Sequence, residues 1–355
     1  MTTLKEVQLS QGASLAPDNI PLHFGDQQAE YRAATETAVL LDRSHEARLQ
    51  LEGKNRLDMP HRISTNDLMN MGAGEGRPTI FISPLARILD RVEAYNMDEA
   101  ALMLGEPGRG TPLANYLRRN IFFGDDVRLS DLAADYHQFD LHGPQAAAVA
   151  QRFLPGSAAL QPGHVMKAVT NDHEIIIARR KPVIGERWTL LVPADHAAIA
   201  WQRLAESGAI PAGSLVYNVL RIRAGLPSVG RELSEEYIPL EVGLWDEVSF
   251  RKGCYTGQEI IARMESRQRL ARTLVTLALA EHVPAPAEVY AEGKSAGRLT
   301  SSVVAPDGEI FALAVIKTGL AQPGQALTVG ENRVAAQVKA LAGIQPEYFA
   351  NQQEG

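Results

Sequence analysis

Two stretches of the chain carry most of the information about its fold: RIRAGLPSVGRELSEEYIPLEVGL at residues 221–244 and KGCYTGQE at residues 252–259. In the first, Gly225 stands shortly before Pro227. Glycine accepts positive φ and proline cannot continue a helical turn, so this pair predicts the end of a helix. The sequence then indicates an irregular connecting segment that leads to the second stretch.

The second stretch admits two interpretations of its cysteine. Thr256 and Glu259 have the spacing of a capping box, which predicts a helix beginning here with Cys254 just before its positive end. Arg251 and Lys252 stand beside the thiol, so the thiolate form is favoured and the cysteine is a candidate reactive group. The alternative is a small buried apolar residue, a common role for a single cysteine.

A basic run surrounds this stretch. Six cations lie between residues 251 and 272, among them Arg263 and Arg272, and only two glutamates offset them. The local surplus of positive charge suits a ligand that carries carboxylate or phosphate groups. A solvated helix face is the alternative interpretation.

Composition excludes several classes of protein. With 355 residues, 45% hydrophobic and 22% charged, the chain is expected to form two or three globular domains. A net charge of -7 argues against a surface made to bind nucleic acid or anionic membrane. Neither a secretory leader nor a membrane span is recognisable, which makes a cytoplasmic location the expectation.

The cysteine and histidine inventory argues against a resident metal. One cysteine cannot form an internal disulfide or furnish the several thiolates of a zinc or iron–sulfur centre. The nine histidines include no HxxxH, HxH or HExxH spacing. No metal ligand is therefore predicted.

Hydrophobic periodicity predicts an α+β fold. Residues 1–25 lack a sustained period and are predicted to form an arm. Helical and strand patterns then alternate up to about residue 222, which favours mixed sheets with helices packed on them. After Arg269, short strands separated by glycine and proline turns predict a small β-barrel-like terminal domain.

These motifs resemble those of a known family. Residues 221–244 resemble the passage into the central loop of the glycine-cleavage T-protein (aminomethyltransferase) family, and KGCYTGQE is similar to the signature that separates the YgfZ family from true T-proteins. GKNRLDMPHRISTNDLMNM at residues 53–71 and the stretch Gly297–Ser302 also resemble family segments. The resemblance covers about residues 28–342.

The resemblance implies two mixed-sheet α+β folate-binding domains and a C-terminal β-barrel, arranged as a ring around a central hole for tetrahydrofolate or a one-carbon derivative of it. The implied parts are an arm at 1–27, a first domain with the central loop at 28–142 and 212–268, a second domain at 143–211, the barrel at 269–344 and a tail at 345–355.

The resemblance also implies the site residues. The reactive group is expected to comprise Lys252, Cys254, Gln258 and Glu259. The residues expected to bind the folate are Asn66, Asp67, Asp90, Arg223, Glu241, Arg263 and Arg272. Asn66 and Asp67 could instead serve a turn, and Glu241 could anchor a loop.

Two departures from the T-protein pattern concern the chemistry. Where T-proteins carry an acidic pair, this chain has Asp90 followed by Arg91, and Arg223 replaces the glutamate that holds the pterin ring. A guanidinium cannot accept the N–H donors of a pterin. An accessory protein is therefore expected rather than a true aminomethyltransferase.

The leading hypothesis is a folate-binding accessory protein that supports iron–sulfur cluster assembly or repair, and through cluster enzymes tRNA modification. Its implied partners are iron–sulfur client or assembly proteins, with no direct binding of nucleic acid. The alternatives are a folate-dependent one-carbon transferase, of aminomethyltransferase or demethylase type, and a folate-binding module without chemistry.

Overall fold

The computed structural model describes residues 2–170 and 172–346. Within them the chain forms two compact units, each assembled from separate stretches of sequence. The first unit takes residues 1–60, 68–77 and 92–218, and the second takes 61–67, 78–91 and the chain from 219 onwards. Most of the tail predicted at 345–355 lies outside the described residues.

Helices occur in both units. They are α1 (Leu4–Ser10), α2 (Gln27–Glu36), α3 (Asp58–Ile63), α4 (Gly110–Arg119), α5 (Ala146–Phe153), α6 (Ala197–Glu206), α7 (Ser214–Arg223) and α8 (Gln258–Ser266).

The strands of the chain up to residue 212 are β1 (Ser14–Leu15), β2 (Pro21–His23), β3 (Val39–Asp42), β4 (Glu46–Glu52), β5 (Gly76–Ile82), β6 (Ile88–Asn96), β7 (Ala100–Pro107), β8 (Arg128–Asp131), β9 (Tyr136–Gly143), β10 (His164–Thr170), β11 (His173–Arg180), β12 (Glu186–Pro193) and β13 (Ile210–Ala212). Those that follow are β14 (Arg272–Leu279), β15 (Ala287–Ala291), β16 (Lys294–Val304), β17 (Ile310–Lys317), β18 (Ala326–Val329) and β19 (Val334–Leu341).

The strands form two large sheets, a barrel and a short β1–β2 ribbon. One sheet has the order β10-β11-β12-β9-β3-β13 and is antiparallel except for the parallel β3–β13 pair. The other has the order β5-β6-β7-β4-β8. Strands β14 to β19 close into a six-stranded barrel in the order β14-β17-β16-β15-β18-β19, which leaves no unpaired sheet edge.

The six-stranded sheet buries one face in the core of the first unit. Along β9 the side chains alternate: Phe139 and Leu141 join an apolar cluster with Trp188 of β12 and Trp201 of α6. Small residues of α5 and α6 complete this cluster. A period of two along the strand thus selects the residues that hold the helices on the sheet.

The opposite face of the same sheet carries buried charge. Asp140 and His142, the other residues of the β9 alternation, are fully buried there. Three ion pairs, each with a closest N–O distance of 2.6 Å, join buried side chains of the unit: Arg187 with Asp140, Arg180 with Glu93 and Arg43 with Glu46. Charges in a low-dielectric interior are tolerated when they are paired and hydrogen-bonded in this way.

The second unit has its own core. Residues of the β5–β6 hairpin, of the connecting segment 233–248 and of α8 pack together with barrel residues Leu274, Leu313 and Val315. The barrel interior forms a separate apolar cluster. The prediction of an α+β fold with a small C-terminal barrel is confirmed, whereas the ring arrangement and the domain boundaries stay predictions.

The lack of a sustained period in residues 1–25 conceals the short helix α1, whereas the arm itself stays a prediction. Thr3 and Glu6 form a capping box at the start of this helix, and Leu4 and Val7 are buried in the apolar cluster of the first unit. A seven-residue helix that buries two apolar side chains is too short to give a recognisable period.

Candidate functional site

Gly257 fixes the position of the KGCYTGQE segment within the second unit. Its φ is +81°, and a Cβ atom there would lie 2.7 Å from the carbonyl oxygen of Ser83 and 2.9 Å from Cδ1 of Ile82. Only glycine meets both conditions. Two residues earlier, Tyr255 is buried in the same core as Ile82. The segment is therefore held against the β5–β6 hairpin on both sides of Thr256.

The helix after this segment begins differently from the prediction. α8 starts at Gln258 with Gly257 as its capping residue, and no side chain caps it. The capping box predicted for Thr256 and Glu259 is therefore wrong, because the left-handed glycine takes the cap position. Cys254 is exposed, so its interpretation as a small buried residue is also wrong.

Lys252 lies two residues from the thiol, but its side chain points into the protein and is only 9% exposed. Its ammonium group donates to the carbonyl oxygens of His61, Ser64 (2.6 Å) and Asn66 (3.0 Å). Burial lowers the pKa of Lys252 to about 8, and the carboxylate of Asp67 opposes this shift. At neutral pH the side chain is thus mainly a charged donor to three backbone acceptors.

Asn66 is bonded into the same turn. Its side-chain amide donates to the carbonyl of Pro78 at 2.8 Å, and its backbone N–H donates to the hydroxyl of Thr79 at 2.9 Å. The neighbouring Thr65 hydroxyl donates to the carbonyl of Glu247 at 2.7 Å. Asp67 lies 3.4 Å from the imidazole of His61. The structure therefore brings Asn66, Asp67 and Lys252 together, far apart as they are in sequence.

Arg91, which occupies the second position of the expected acidic pair, has a carboxylate partner. Its Nε and Nη2 atoms donate to Oε2 and Oε1 of Glu247 at 2.7 and 2.6 Å, a bidentate pair. Glu247 is 1% exposed. Asp90 is also buried, and one of its oxygens accepts the backbone N–H of Arg91 at 3.2 Å.

Glu241 and Arg272 bind each other. Two N–O distances of 3.2 Å join the guanidinium to the carboxylate, and Arg87 lies 3.8 Å from the same carboxylate. The backbone N–H of Ile238 donates to Glu241 as well, at 3.2 Å. Arg272 also stacks over Tyr237, 5.0 Å from the ring centroid. The second group of predicted ligand residues is thus an ion pair that secures the connecting segment.

The remaining predicted residues are more open. Arg223 is exposed and its guanidinium lies 5.6 Å from the ring centroid of Phe311. Arg263 and Glu259 are exposed, and Gln258 is half-buried. Their assignment to the site stays a prediction.

Glu247 is the residue that sequence reasoning missed. The signal that could have found it is the charge reversal at Arg91, since a buried cation requires an anion nearby. Glu247 lies in the connecting segment 233–248, but 156 positions separate it from Arg91, and no local pattern links the two partners.

Neither a metal cluster nor a membrane helix is found in the part of the chain that the structure describes. There, no three histidine, cysteine, aspartate or glutamate side chains are grouped so that they could hold a metal ion. No helix among residues 2–170 and 172–346 is long and apolar enough to cross a membrane.

Comparison with known proteins agrees with this architecture. Residues 15–252 match the family described as GCVT N-terminal domain. The chain is 31% identical over 339 residues to the "Putative transferase At1g60990, chloroplastic" of Arabidopsis thaliana, covering 94% of this chain and 78% of the relative. It is 28% identical to an aminomethyltransferase of Symbiobacterium thermophilum, with 86% of each chain covered.

A solved structure has the same fold. The glycine cleavage system aminomethyltransferase T from Bartonella henselae superimposes with a TM-score of 0.85 at 21% identity, over 96% of this chain and 97% of that one. The family match over residues 15–252 shows that the chain belongs to the GCVT N-terminal domain family.

Proposed function

We propose that this protein is a tetrahydrofolate-binding accessory protein of the YgfZ type, in which Cys254 is the reactive group and iron–sulfur cluster assembly or repair, and thereby tRNA modification, is the process served. Its partners would be iron–sulfur client or assembly proteins in the cytoplasm. The observation that carries the proposal is an exposed thiol on a segment fixed by its neighbours on both sides.

The structure of this segment supports different roles for Cys254 and Lys252. The thiol faces solvent and can meet a partner, whereas the ammonium is bonded to three carbonyl oxygens and orders the turn that contains Asn66. In this proposal Lys252 is a positioning residue rather than a nucleophile. A thiolate is the nucleophilic and metal-binding form of cysteine, which fits transient contact with a cluster or a sulfur species.

The Arg91–Glu247 pair supports an accessory role over transfer of an aminomethyl carbon. A carboxylate at position 91 would add to the negative charge of Asp90, whereas the guanidinium found there is already bonded to a buried carboxylate. Position 91, which is acidic in T-proteins, thus carries a guanidinium paired with Glu247 and adds no negative charge beside Asp90.

The residues present fit a folate. Asp90 provides a buried carboxylate that can accept N–H donors of a pterin, and the exposed guanidinium group of Arg263, in the basic run at 251–272, can bind a carboxylate of the glutamate tail. A bound folate would supply a one-carbon carrier. Glu241 and Arg272 would act by holding the connecting segment, because they bind each other.

Titration of the wild-type protein with tetrahydrofolate by calorimetry tests the folate assignment, with the alkylation rate of Cys254 measured in the same samples. Saturable binding that changes the alkylation rate is the expected result. Arg263→Glu is expected to weaken binding about tenfold or more, because in this proposal it reverses a charge that binds the anionic tail. Arg32→Glu, an exposed arginine on α2 of the first unit, is the matched control. Absence of binding by the wild type would refute the assignment.

The iron–sulfur role needs a cellular test. In cells that lack the protein, activity of an iron–sulfur enzyme and the level of a cluster-dependent tRNA modification should be restored by the wild type and by Lys252→Arg, but not by Cys254→Ser. Full restoration by Cys254→Ser would contradict a reactive role of the thiol and favour a folate-binding module without chemistry.

A one-carbon transferase is the second candidate, favoured by the names of the aminomethyltransferases to which the chain is similar. Formation of methylenetetrahydrofolate from tetrahydrofolate and an aminomethyl donor by the purified protein would support it. Turnover that survives Cys254→Ser would favour this candidate over the accessory role.

A further inference from the structure

A cavity of about 570 Å³ lies in the second unit between the loop 229–237 and barrel strand β16. Its polar lining comes from Arg231, Ser234, Glu236, Tyr237, Arg298 and Thr300. Cavities of this volume hold small ligands in other proteins. None of these residues belongs to the group around Lys252 or Cys254.

Two guanidinium groups line the cavity with most of their donors available. Arg231 donates one N–H to the carbonyl of Thr300 at 3.0 Å, and Arg298 reaches the carboxylate of Glu236 at 3.4 Å. Each guanidinium has five N–H donors in a fork that matches carboxylate and phosphate oxygens. Both side chains are exposed.

Glu236 is a carboxylate inside a cationic cluster. Besides Arg298, Arg272 lies 3.9 Å from its carboxylate, and both Arg272 and Arg87 donate to its backbone carbonyl. Burial raises the pKa of Tyr237, and the Glu236 carboxylate beside its hydroxyl raises it further. The cluster is therefore arranged around an anion, and the anion present is a half-exposed side chain that can move away.

Buried contacts of Glu232 fix the loop that carries Arg231. The carboxylate of Glu232, fully buried, accepts from the backbone of Ser228 at 3.0 Å and from the hydroxyl of Ser301 at 2.8 Å. Arg221 lies 3.5 Å from the same carboxylate. A cavity whose walls are fixed before binding loses little conformational entropy when a ligand enters.

We propose that this cavity binds a small, multiply charged oxyanion between Arg231 and Arg298, with Glu236 as an internal competitor that the ligand displaces. The shared chemistry is two or more carboxylate or phosphate groups on a molecule small enough for the cavity. Nearby charges agree with this: Arg87 and Arg272 add positive charge, while Glu241 is occupied by Arg272. The site does not depend on the proposed folate function.

Calorimetric titration of the full chain with inorganic pyrophosphate and, separately, with citrate at constant ionic strength tests the proposal. Binding of pyrophosphate alone would identify a phosphate ligand, binding of citrate alone a polycarboxylate, and binding of both a general oxyanion site; each supports the proposal. Arg231→Ala and Arg298→Ala are each expected to weaken binding about tenfold.

Glu236→Gln distinguishes a built site from general attraction of anions. Removing the competing carboxylate is expected to tighten binding about threefold, whereas Glu235→Gln, an equal change of charge at the neighbouring exposed residue outside the cavity lining, should have less effect. The proposal is overturned if the wild type binds neither probe, if both arginine variants bind like the wild type while remaining folded by circular dichroism, or if the two glutamate variants respond equally.

Discussion

At the scale of single residues, the surroundings of Lys252 determine the cost of removing its charge. Lys252→Met would leave three backbone carbonyl groups without their donor, so the free energy of unfolding should fall by about 3 kcal/mol. Lys317→Met is the matched control, because that ammonium donates to the single exposed carbonyl of Ser295. Urea unfolding of both variants checks this, and equal losses would contradict the anchoring role.

The Arg91–Glu247 pair makes a second prediction at this scale. Glu247→Gln removes the charge that balances a largely buried guanidinium, and should lower the free energy of unfolding by about 2–3 kcal/mol. Glu52→Gln, whose partner Arg128 is 76% exposed, should cost less than about 1 kcal/mol. The same denaturation experiment compares the two variants, and a large loss for Glu52→Gln alone would contradict a stabilising role of the Arg91–Glu247 pair.

At the scale of elements, the start of α8 depends on Gly257. Gly257→Ala introduces both a strained positive φ and a Cβ atom within contact distance of the Ser83 carbonyl, so a loss of about 3 kcal/mol or more is expected. Gly293→Ala has a similar φ of +79° but open space around the new atom, and should cost about 1 kcal/mol. Thermal unfolding of the two variants separates the steric effect from the conformational one.

The helices and strands also show how much of the secondary structure can be predicted from the sequence. Periodicity predicted alternating strands and helices up to about residue 222, and β10 to β12 and α6 lie there because their apolar residues pack into one cluster. It missed α1, whose two buried residues give no pattern, and it placed the cap of α8 on Thr256, because a glycine cap stabilised by tertiary contacts has no local signature.

The candidate site was accessible to sequence reasoning only in part. The family resemblance predicted Asn66, Asp67 and Lys252 as site residues, but not that the ammonium of Lys252 bonds to a carbonyl 186 residues away. Glu241 and Arg272 were likewise each predicted to bind the folate, but the sequence did not predict that they bind each other. Pairing partners are chosen by tertiary packing, which single-sequence patterns do not encode.

At the scale of the whole molecule, the buried charges of the first unit predict acid sensitivity. Burial alone would raise the pKa of Asp140, but Arg187 and His142 hold it well below its usual value. Burial lowers the pKa of His142, with Asp140 opposing. Both groups therefore bind protons more readily in the unfolded chain.

The sign of the pH dependence follows from these shifts. As the pH falls below about 6.5, the unfolded chain protonates at His142 before the folded one does, and below about 4 the same happens at Asp140, so stability should fall in both windows. Urea midpoints measured from pH 8 to about pH 3 check this. His142→Gln should flatten the part of the curve between about pH 6.5 and 5, and an unchanged curve would contradict the assignment to His142.

The interleaving of the two units along the chain determines an order of events during synthesis. Residues 61–67 and 78–91 leave the ribosome early, but they belong to a unit that is otherwise built from residues 219 onwards. Lys252 therefore cannot donate to the carbonyl groups of His61, Ser64 and Asn66 until more than two-thirds of the chain has been translated. Neither unit corresponds to a continuous piece of the gene, and a truncation on either side of residue 219 removes part of one unit's framework.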